Sequence, residues 1–382
     1  MPTEAPEPST AAWLAVRRNE APGRPPGGAT ASERSGPDEA TPITLRPDDV
    51  LVLRALGLGD ALTGVAALRG VRRRYPDRRL VLAGPAATGR LLRELGIVDE
   101  VLQLPGLVPL SPCPPGLVAV NLHGRGPASH RLLQQARPGR LIGFAAPEAG
   151  HAGPEWWADE HEVDRWCRVV SEAGGECSRV DLRLRTRAAA QDQRRSRTLP
   201  GPVLVHPGAA SASRRWPVER WRQVTAALAA DGHQVLVTGT AAESTLGHAV
   251  ATGLTGVEDH TGGHGLSELS AMVRDAALVL SADTGVAHLA TGWGVPSVVL
   301  FGPVPPARWG PAIDPDLHTV LWHGDPVAGS WGDPHGDTLD ALLAEVSVEE
   351  VLEAARSHLS IIPPSFTRPV PAPVPGRIHR EP

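Results

Sequence analysis

The chain has 382 residues, enough for two or three domains, and its 41% hydrophobic and 21% charged residues suit a buried core. A formal net charge of −5 excludes a general nucleic-acid or anionic-membrane coat, which needs clustered positive charge. No apolar run approaches the ~20 residues of a bilayer span.

All 37 basic residues are Arg, and Ala, Gly and Pro are abundant, a pattern of GC-rich coding rather than of selected chemistry. Residues 1–46 are rich in Pro, Gly, Ser and Glu and lack the apolar core of a signal peptide, so they read as a disordered leader. Cys113, Cys167 and Cys177 are odd in number and widely spaced, which suggests neither a disulfide framework nor a zinc pair. A cytoplasmic protein is expected, with peripheral membrane contact left open.

After the leader, short apolar runs alternate with helical patterns. DVLVLRAL (49–56) reads as a buried strand, and Leu62, Val65, Ala66, Leu68 and Val71 share one helix face. LVLAG (80–84) is a strand, ATGRLLRELG (87–96) a helix closed by Gly96, and VDEVLQL and LVAVNLHG are further strands. The stretch 145–200 is less regular. Within it WWADEHEVDRW (156–166) suits a solvated helix with Trp anchors better than a metal site, and 191–202 reads as a linker.

The rhythm then restarts with strands at 202–208 and 233–239 and helices at 217–230, from about Ala242, and at 266–276. Strands at 277–283 and 297–302, a helix at 348–359 and a Pro-rich tail at 363–382 complete the chain. Two α/β lobes, 47–195 and 200–362, with a cleft between the carboxyl ends of parallel sheets, are expected.

Three constellations carry chemistry. In RALGLGDALTG (54–64), Gly57 and Gly59 form a turn before a helix, where the backbone can approach a ligand. The third glycine of a dinucleotide fingerprint is replaced by Leu62, and GPAATGR (84–90) lacks the Lys of a phosphate loop. Asp60 remains, either as a helix cap or as a functional carboxylate. In HPGAASASRRWPVERW (206–221), Arg214 could meet a phosphate or be solvated, whereas Arg215 reads as solvated.

In ALVLSADTGVAHLATGWGVPSVVLFGP (277–303), a strand delivers Asp283 to the sheet edge, Thr284 and Gly285 turn the chain, and His288 lies one turn into the helix. A carboxylate there can accept hydrogen bonds from sugar hydroxyls, while Thr284 and the free amides beyond it suit a diphosphate; the alternative is that Asp283 caps the helix and His288 is a satisfied, semi-buried histidine. His123 and Arg125, ending a first-lobe strand in NLHGRG, could meet a second substrate or be ordinary loop residues. The His-rich stretch 323–335 has no recognised ligand spacing.

Taken together, LGxGDxxxxxxALRxxRRRYP, HPGA…RRWP and DTGxxHLAxxxGxPxVxLFGP, with the run 259–285 leading to the last, resemble glycosyltransferase family 9, the ADP-heptose:lipopolysaccharide heptosyltransferases. The resemblance spans roughly residues 50–359. It implies the GT-B architecture of two Rossmann-like doubly wound lobes, the first for the acceptor and the second for the nucleotide sugar. It also implies inversion at the anomeric carbon without a metal or other cofactor, and lobe closure that brings the two half-sites together.

By position, Asp60 matches the family's general base, Asp283 its sugar-hydroxyl ligand, and Thr284 and Gly285 its diphosphate site. Glu243 matches a Glu near the ribose and His288 the motif histidine. Arg214 stands where the family carries a phosphate-binding Lys. The donor implied is ADP-heptose or a relative, and the acceptor a cell-envelope glycan or a small molecule. Competing readings are a nicotinamide oxidoreductase, a non-catalytic nucleotide-sugar-binding module, and an epimerase or hydrolase that consumes donor alone.

Overall fold

A computed structural model describes residues 43–184, 201–326 and 331–360. Most of the expected leader, residues 191–200 of the expected linker 191–202, and the tail lie outside the described residues. Ile43 and Leu45, assigned to the leader from sequence, pack against the first lobe's core.

The first lobe is a five-stranded sheet in the order β3-β2-β1-β4-β5, every pairing parallel. Its strands are β1 (Val50–Leu53), β2 (Leu80–Gly84), β3 (Glu100–Gln103), β4 (Val118–Asn121) and β5 (Arg140–Ile142). The second lobe is a six-stranded parallel sheet in the order β11-β10-β9-β6-β7-β8. It is built from β6 (Val203–His206), β7 (Val235–Val237), β8 (Val257–Asp259), β9 (Leu278–Ala282), β10 (Ser297–Leu300) and β11 (His318–Leu321). Counted within its own lobe, the first sheet runs 3-2-1-4-5 and the second 3-2-1-4-5-6, the doubly wound order. β5, β8 and β11 are edge strands that sequence reading missed: two are only three residues long and carry few buried side chains.

Helices cover the faces of the sheets, so the central strands are buried on both faces and mostly apolar; VLVL of β1 is buried at every position. The first lobe carries α1 (Leu58–Thr63), α2 (Val65–Arg74), α3 (Ala86–Glu94), α4 (Ala128–Gln135) and α5 (Glu162–Glu172). The second carries α6 (Val218–Ala230), α7 (Ser244–Ala251), α8 (Leu266–Asp275), α9 (Gly285–Trp293), α10 (Pro306–Trp309), α11 (Ala341–Glu345) and α12 (Val348–Ser360). No helix among the described residues is long and apolar enough to cross a membrane.

Two sequence expectations need correction. The helix expected from residue 156 begins only at Glu162, and it is not a solvated helix. Glu162, Arg165 and Trp166 are all buried, because α5 packs along α2. Cys167 and Cys177 form a disulfide with Cα atoms 5.1 Å apart; Cys113 is free and buried. Sequence spacing concealed the pair because the chain reverses at Gly174 and Gly175, bringing residue 177 back beside α5.

The lobes share one apolar cluster, in which Val65 and Leu68 of α2 join Val286, Leu289 and Trp293 of α9. The chain leaving the first lobe is tied to the second by Arg183 Nη2 on Asp314 Oδ1 at 2.6 Å and by the Leu184 amide on the Gly292 carbonyl at 2.8 Å. The lobes are thus packed together at their facing edges, and the half-sites already adjoin.

Candidate active site

In an open parallel sheet, ligands bind beyond the carboxyl ends of the strands, where the winding direction reverses. That point lies between β1 and β4 in one lobe and between β6 and β9 in the other. The residues just beyond these four strands include Arg54 and Asp60, His123, Arg214, and Asp283 with Thr284. The topology therefore gathers most of the candidates singled out in the sequence along one crevice.

Asp60 is the third residue of α1, whose cap is Gly57 with no side-chain capping bond. Its carboxylate is therefore not consumed as a helix cap, and its side chain is 32% exposed. Burial pushes its pKa above the ordinary carboxylate value, the Arg54 guanidinium opposes this, Glu162 adds to it, and Arg214 of the other lobe opposes it. A Cβ on Gly57 would meet nothing nearer than Asp60 Oδ2 at 3.8 Å, whereas one on Gly59 would come within 3.1 Å of His288 Cδ2. Gly59 thus serves the close approach of the two lobes.

The second lobe's half-site follows β6 and β9. Arg214 ends a short turn of 3₁₀ helix and donates from Nη1 to the Asp283 carbonyl at 3.1 Å. Arg215, by contrast, folds back onto the Ala209 carbonyl. Thr284 caps α9 by its backbone alone, and Gly285 is that helix's first residue. Thr284 Oγ1, Arg214 Nε and Ser213 Oγ are buried with no protein partner. A buried polar atom left unsatisfied costs about 1–3 kcal/mol, so a polar ligand bound beside these adjoining elements would gain by pairing with them.

Asp283 is 9% exposed, and its pKa is pushed up to about 6, by burial first, with Arg214 opposing and Asp60 adding to the rise. Glu243 accepts hydrogen bonds from the Thr240 amide and hydroxyl, both at 2.8 Å, through Oε2. Gly208 lies against it, where a Cβ would stand 2.1 Å from Glu243 Oε1. A side chain at Gly208 would therefore displace the Glu243 carboxylate from this position. His206, in the same motif, is buried and bonded to Thr238 Oγ1 at 3.1 Å; burial pushes its pKa down.

α1 and α9 meet directly: a Cβ on Gly285 would lie 2.8 Å from Leu58 Cβ and Cγ. His288 sits in this seam with its ring 6.0 Å from Trp309. Burial lowers its pKa to about 4, helped by His161 and Arg54, so at neutral pH it is an uncharged imidazole. His161 caps α5 by accepting the Val163 amide at Nδ1 and donates from Nε2 to the Gly310 carbonyl at 3.1 Å. His123 accepts the Ala55 amide at 3.2 Å and is likewise lowered to about 4, by burial and then by Arg54. Arg125 is exposed on the loop beyond it, outside this cluster. Among the described residues no group of three or more His, Cys, Asp or Glu could hold a metal ion.

Arg54, His161, Glu162 and Gly208 escaped sequence reasoning. Arg54 did leave a trace, a charge closing the otherwise apolar run VLVLR. Glu162 left none, because its partner lies 108 residues away.

Paired doubly wound lobes facing across such a crevice define the GT-B class, to which this fold belongs. Residues 151–324 match the model of glycosyltransferase family 9 (heptosyltransferase). The chain is a glycosyltransferase, and this stretch is similar to family 9, as the sequence motifs implied.

The fold is shared with the glycosyl transferase family 9 structure from Veillonella parvula at a TM-score of 0.64 and 19% identity, covering 84% of this chain and 100% of that one. E. coli ADP-heptose lps heptosyltransferase II superposes with a TM-score of 0.63 at 17% identity, over 82% and 99% of the two chains. E. coli heptosyltransferase WaaC with ADP gives 0.60 at 15% identity, over 81% and 99%. No protein of curated function matches the sequence.

Proposed function

We propose that the protein transfers a sugar, with heptose from ADP-heptose the donor of choice, to a hydroxyl of a cell-envelope glycan or small-molecule acceptor, with inversion at the anomeric carbon. The acceptor oxygen attacks that carbon and its proton passes to Asp60. The bond to the diphosphate oxygen breaks, and the leaving group departs with the electron pair. Its growing charge is met by Arg214 and by Thr284 with the amides opening α9. Asp283 orients the sugar through its hydroxyls, and Glu243 lies where a ribose would extend along the lobe. No step requires a metal.

One observation carries this reading. Asp60 and the Arg214–Asp283 pair come from different lobes, yet the Leu58–Gly285 contact brings them near enough for Arg214 to pull the pKa of Asp60 down and for Asp60 to push that of Asp283 up. A positioned base of this kind contributes about 10²–10⁴-fold, and a raised pKa suits it to the task. ADP as the nucleotide is supported by the ADP-bound heptosyltransferase of the same fold.

The test is calorimetric titration with ADP, UDP, GDP and NAD without added metal, followed by ADP-heptose turnover. Selective ADP binding, weakened at least about tenfold in Arg214→Ala and Asp283→Ala, is expected from loss of a charge-assisted contact. Preference for UDP or GDP would discard heptose from ADP-heptose as the transferred group. Tight NAD binding with no response to an ADP-sugar would overturn the transferase assignment of the site.

A further inference from the structure

Arg54 ends β1 fully buried, and all three guanidinium nitrogens are engaged. Nε donates to the Asp60 carbonyl and Nη1 to the Leu122 carbonyl. Nη2 reaches Thr63 Oγ1 at 3.1 Å and Glu162 Oε1 at 3.4 Å, with Asp60 Oδ1 at 4.0 Å. The guanidinium also lies over the Trp166 ring, 4.8 Å from its centre. Glu162 is itself buried, held by Trp166 Nε1 at 2.6 Å and by Arg165. One planar, permanently charged fork therefore grips the backbone of Asp60 while standing between two carboxylates.

The charges of this cluster restrict its states. Arg54 and Arg165 are positive and Glu162 negative, so the group is neutral when Asp60 is ionised and carries an uncompensated buried charge when Asp60 is protonated. Uncompensated buried charge is costly. Across the seam Arg214 acts on Asp60 and Asp60 on Asp283, while His123 and His288 face Arg54 and His161 faces His288. Without Arg54, burial alone would favour the neutral acid; without Glu162, the arginine's pull would leave a weaker base.

We propose that Arg54 and Glu162 form a buried positioning pair, in which Arg54 fixes the Asp60 backbone and keeps its carboxylate charged while Glu162 moderates that pull and preserves its basicity. The assignment rests on Asp60 being the proton acceptor. It extends the site to α5, whose preceding residue, His161, is bonded to Gly310 of the second lobe. The pair is thereby braced by the same lobe that supplies the donor half-site.

The two members act with opposite sign, which a merely structural role would not do. In full-length protein labelled with [4-¹³C]aspartate, the Asp60 carboxyl is assigned by its loss in Asp60→Asn and titrated by NMR. Glu162→Gln is expected to lower its midpoint by about half a pH unit or more, and Arg54→Met to raise it by about one to three units. Arg54→Lys, which keeps the charge, should restore most of the difference. If Arg54→Met fails to fold, Glu162→Gln decides: a midpoint unchanged or raised overturns the proposal. Failure of the underlying reading shows elsewhere, as an Asp60→Asn protein that still releases ADP from ADP-heptose at the wild-type rate.

Discussion

Asp283→Asn should make the ligand-free protein more stable at neutral pH while depriving it of donor affinity. Asp283 is 9% exposed, and no ion pair closes on its carboxylate among the described residues; Arg214 reaches its carbonyl instead. Its pKa, about 6 in the folded chain against an ordinary 3.8, means that the folded state prefers the neutral acid. The cost of ionising it is therefore absent below about pH 3.8, grows as pH rises, and is complete above about pH 6.

Two pH units at 1.36 kcal/mol per unit amount to about 3 kcal/mol at pH 8, and about half of that at pH 5. Asn has nearly the same shape and no charge to desolvate. Urea unfolding followed by Trp fluorescence should place the variant's midpoint about 1 M above wild type at pH 8, for a slope of about 3 kcal/mol/M, with the gap narrowing as pH falls. A variant less stable than wild type at pH 8, or a gap independent of pH, would refute the argument that burial of a functional carboxylate is tolerated here at the expense of stability.

Gly285→Ala should destabilise the protein by about 1–3 kcal/mol in thermal or urea unfolding, because its methyl would stand 2.8 Å from Leu58 carbon atoms. Leu58→Ala in the same chain should recover part of the loss, and its failure to do so would place the defect elsewhere. Cys177→Ser opens the loop closed by the disulfide to Cys167, ten residues away in sequence, and should cost about 3 kcal/mol on loop entropy. Wild-type protein with a reductant should unfold at the midpoint of this variant, which the reductant should leave unmoved.

The sequence by itself determined much of this protein. Buried β-branched and leucine-rich runs such as VLVL and LVLSA separated by helical patterns are local signals, and they dictated two parallel-sheet lobes without reference to anything distant. The three motifs likewise carried Asp60, Arg214, Asp283 and Thr284, because each follows a strand and is brought by its turn to the sheet's carboxyl edge. Their partnership across lobes was beyond local pattern. So was the reason for Gly59 and Gly285, whose missing side chains are explained by His288 and Leu58 of the facing lobe.

Tertiary structure alone decided the rest. It showed that Asp60 is not the cap of its helix, that Arg214 and not Arg215 turns toward the cleft, and that α5 is a buried brace instead of a solvated helix. It also joined Cys167 to Cys177 and set Glu162 beside Arg54 from 108 residues away. The physical reason is common to these cases. Burial, charge pairing and the proton affinity of a carboxylate depend on what surrounds a side chain in space, and the surroundings here come from strands and helices that the chain order keeps far apart.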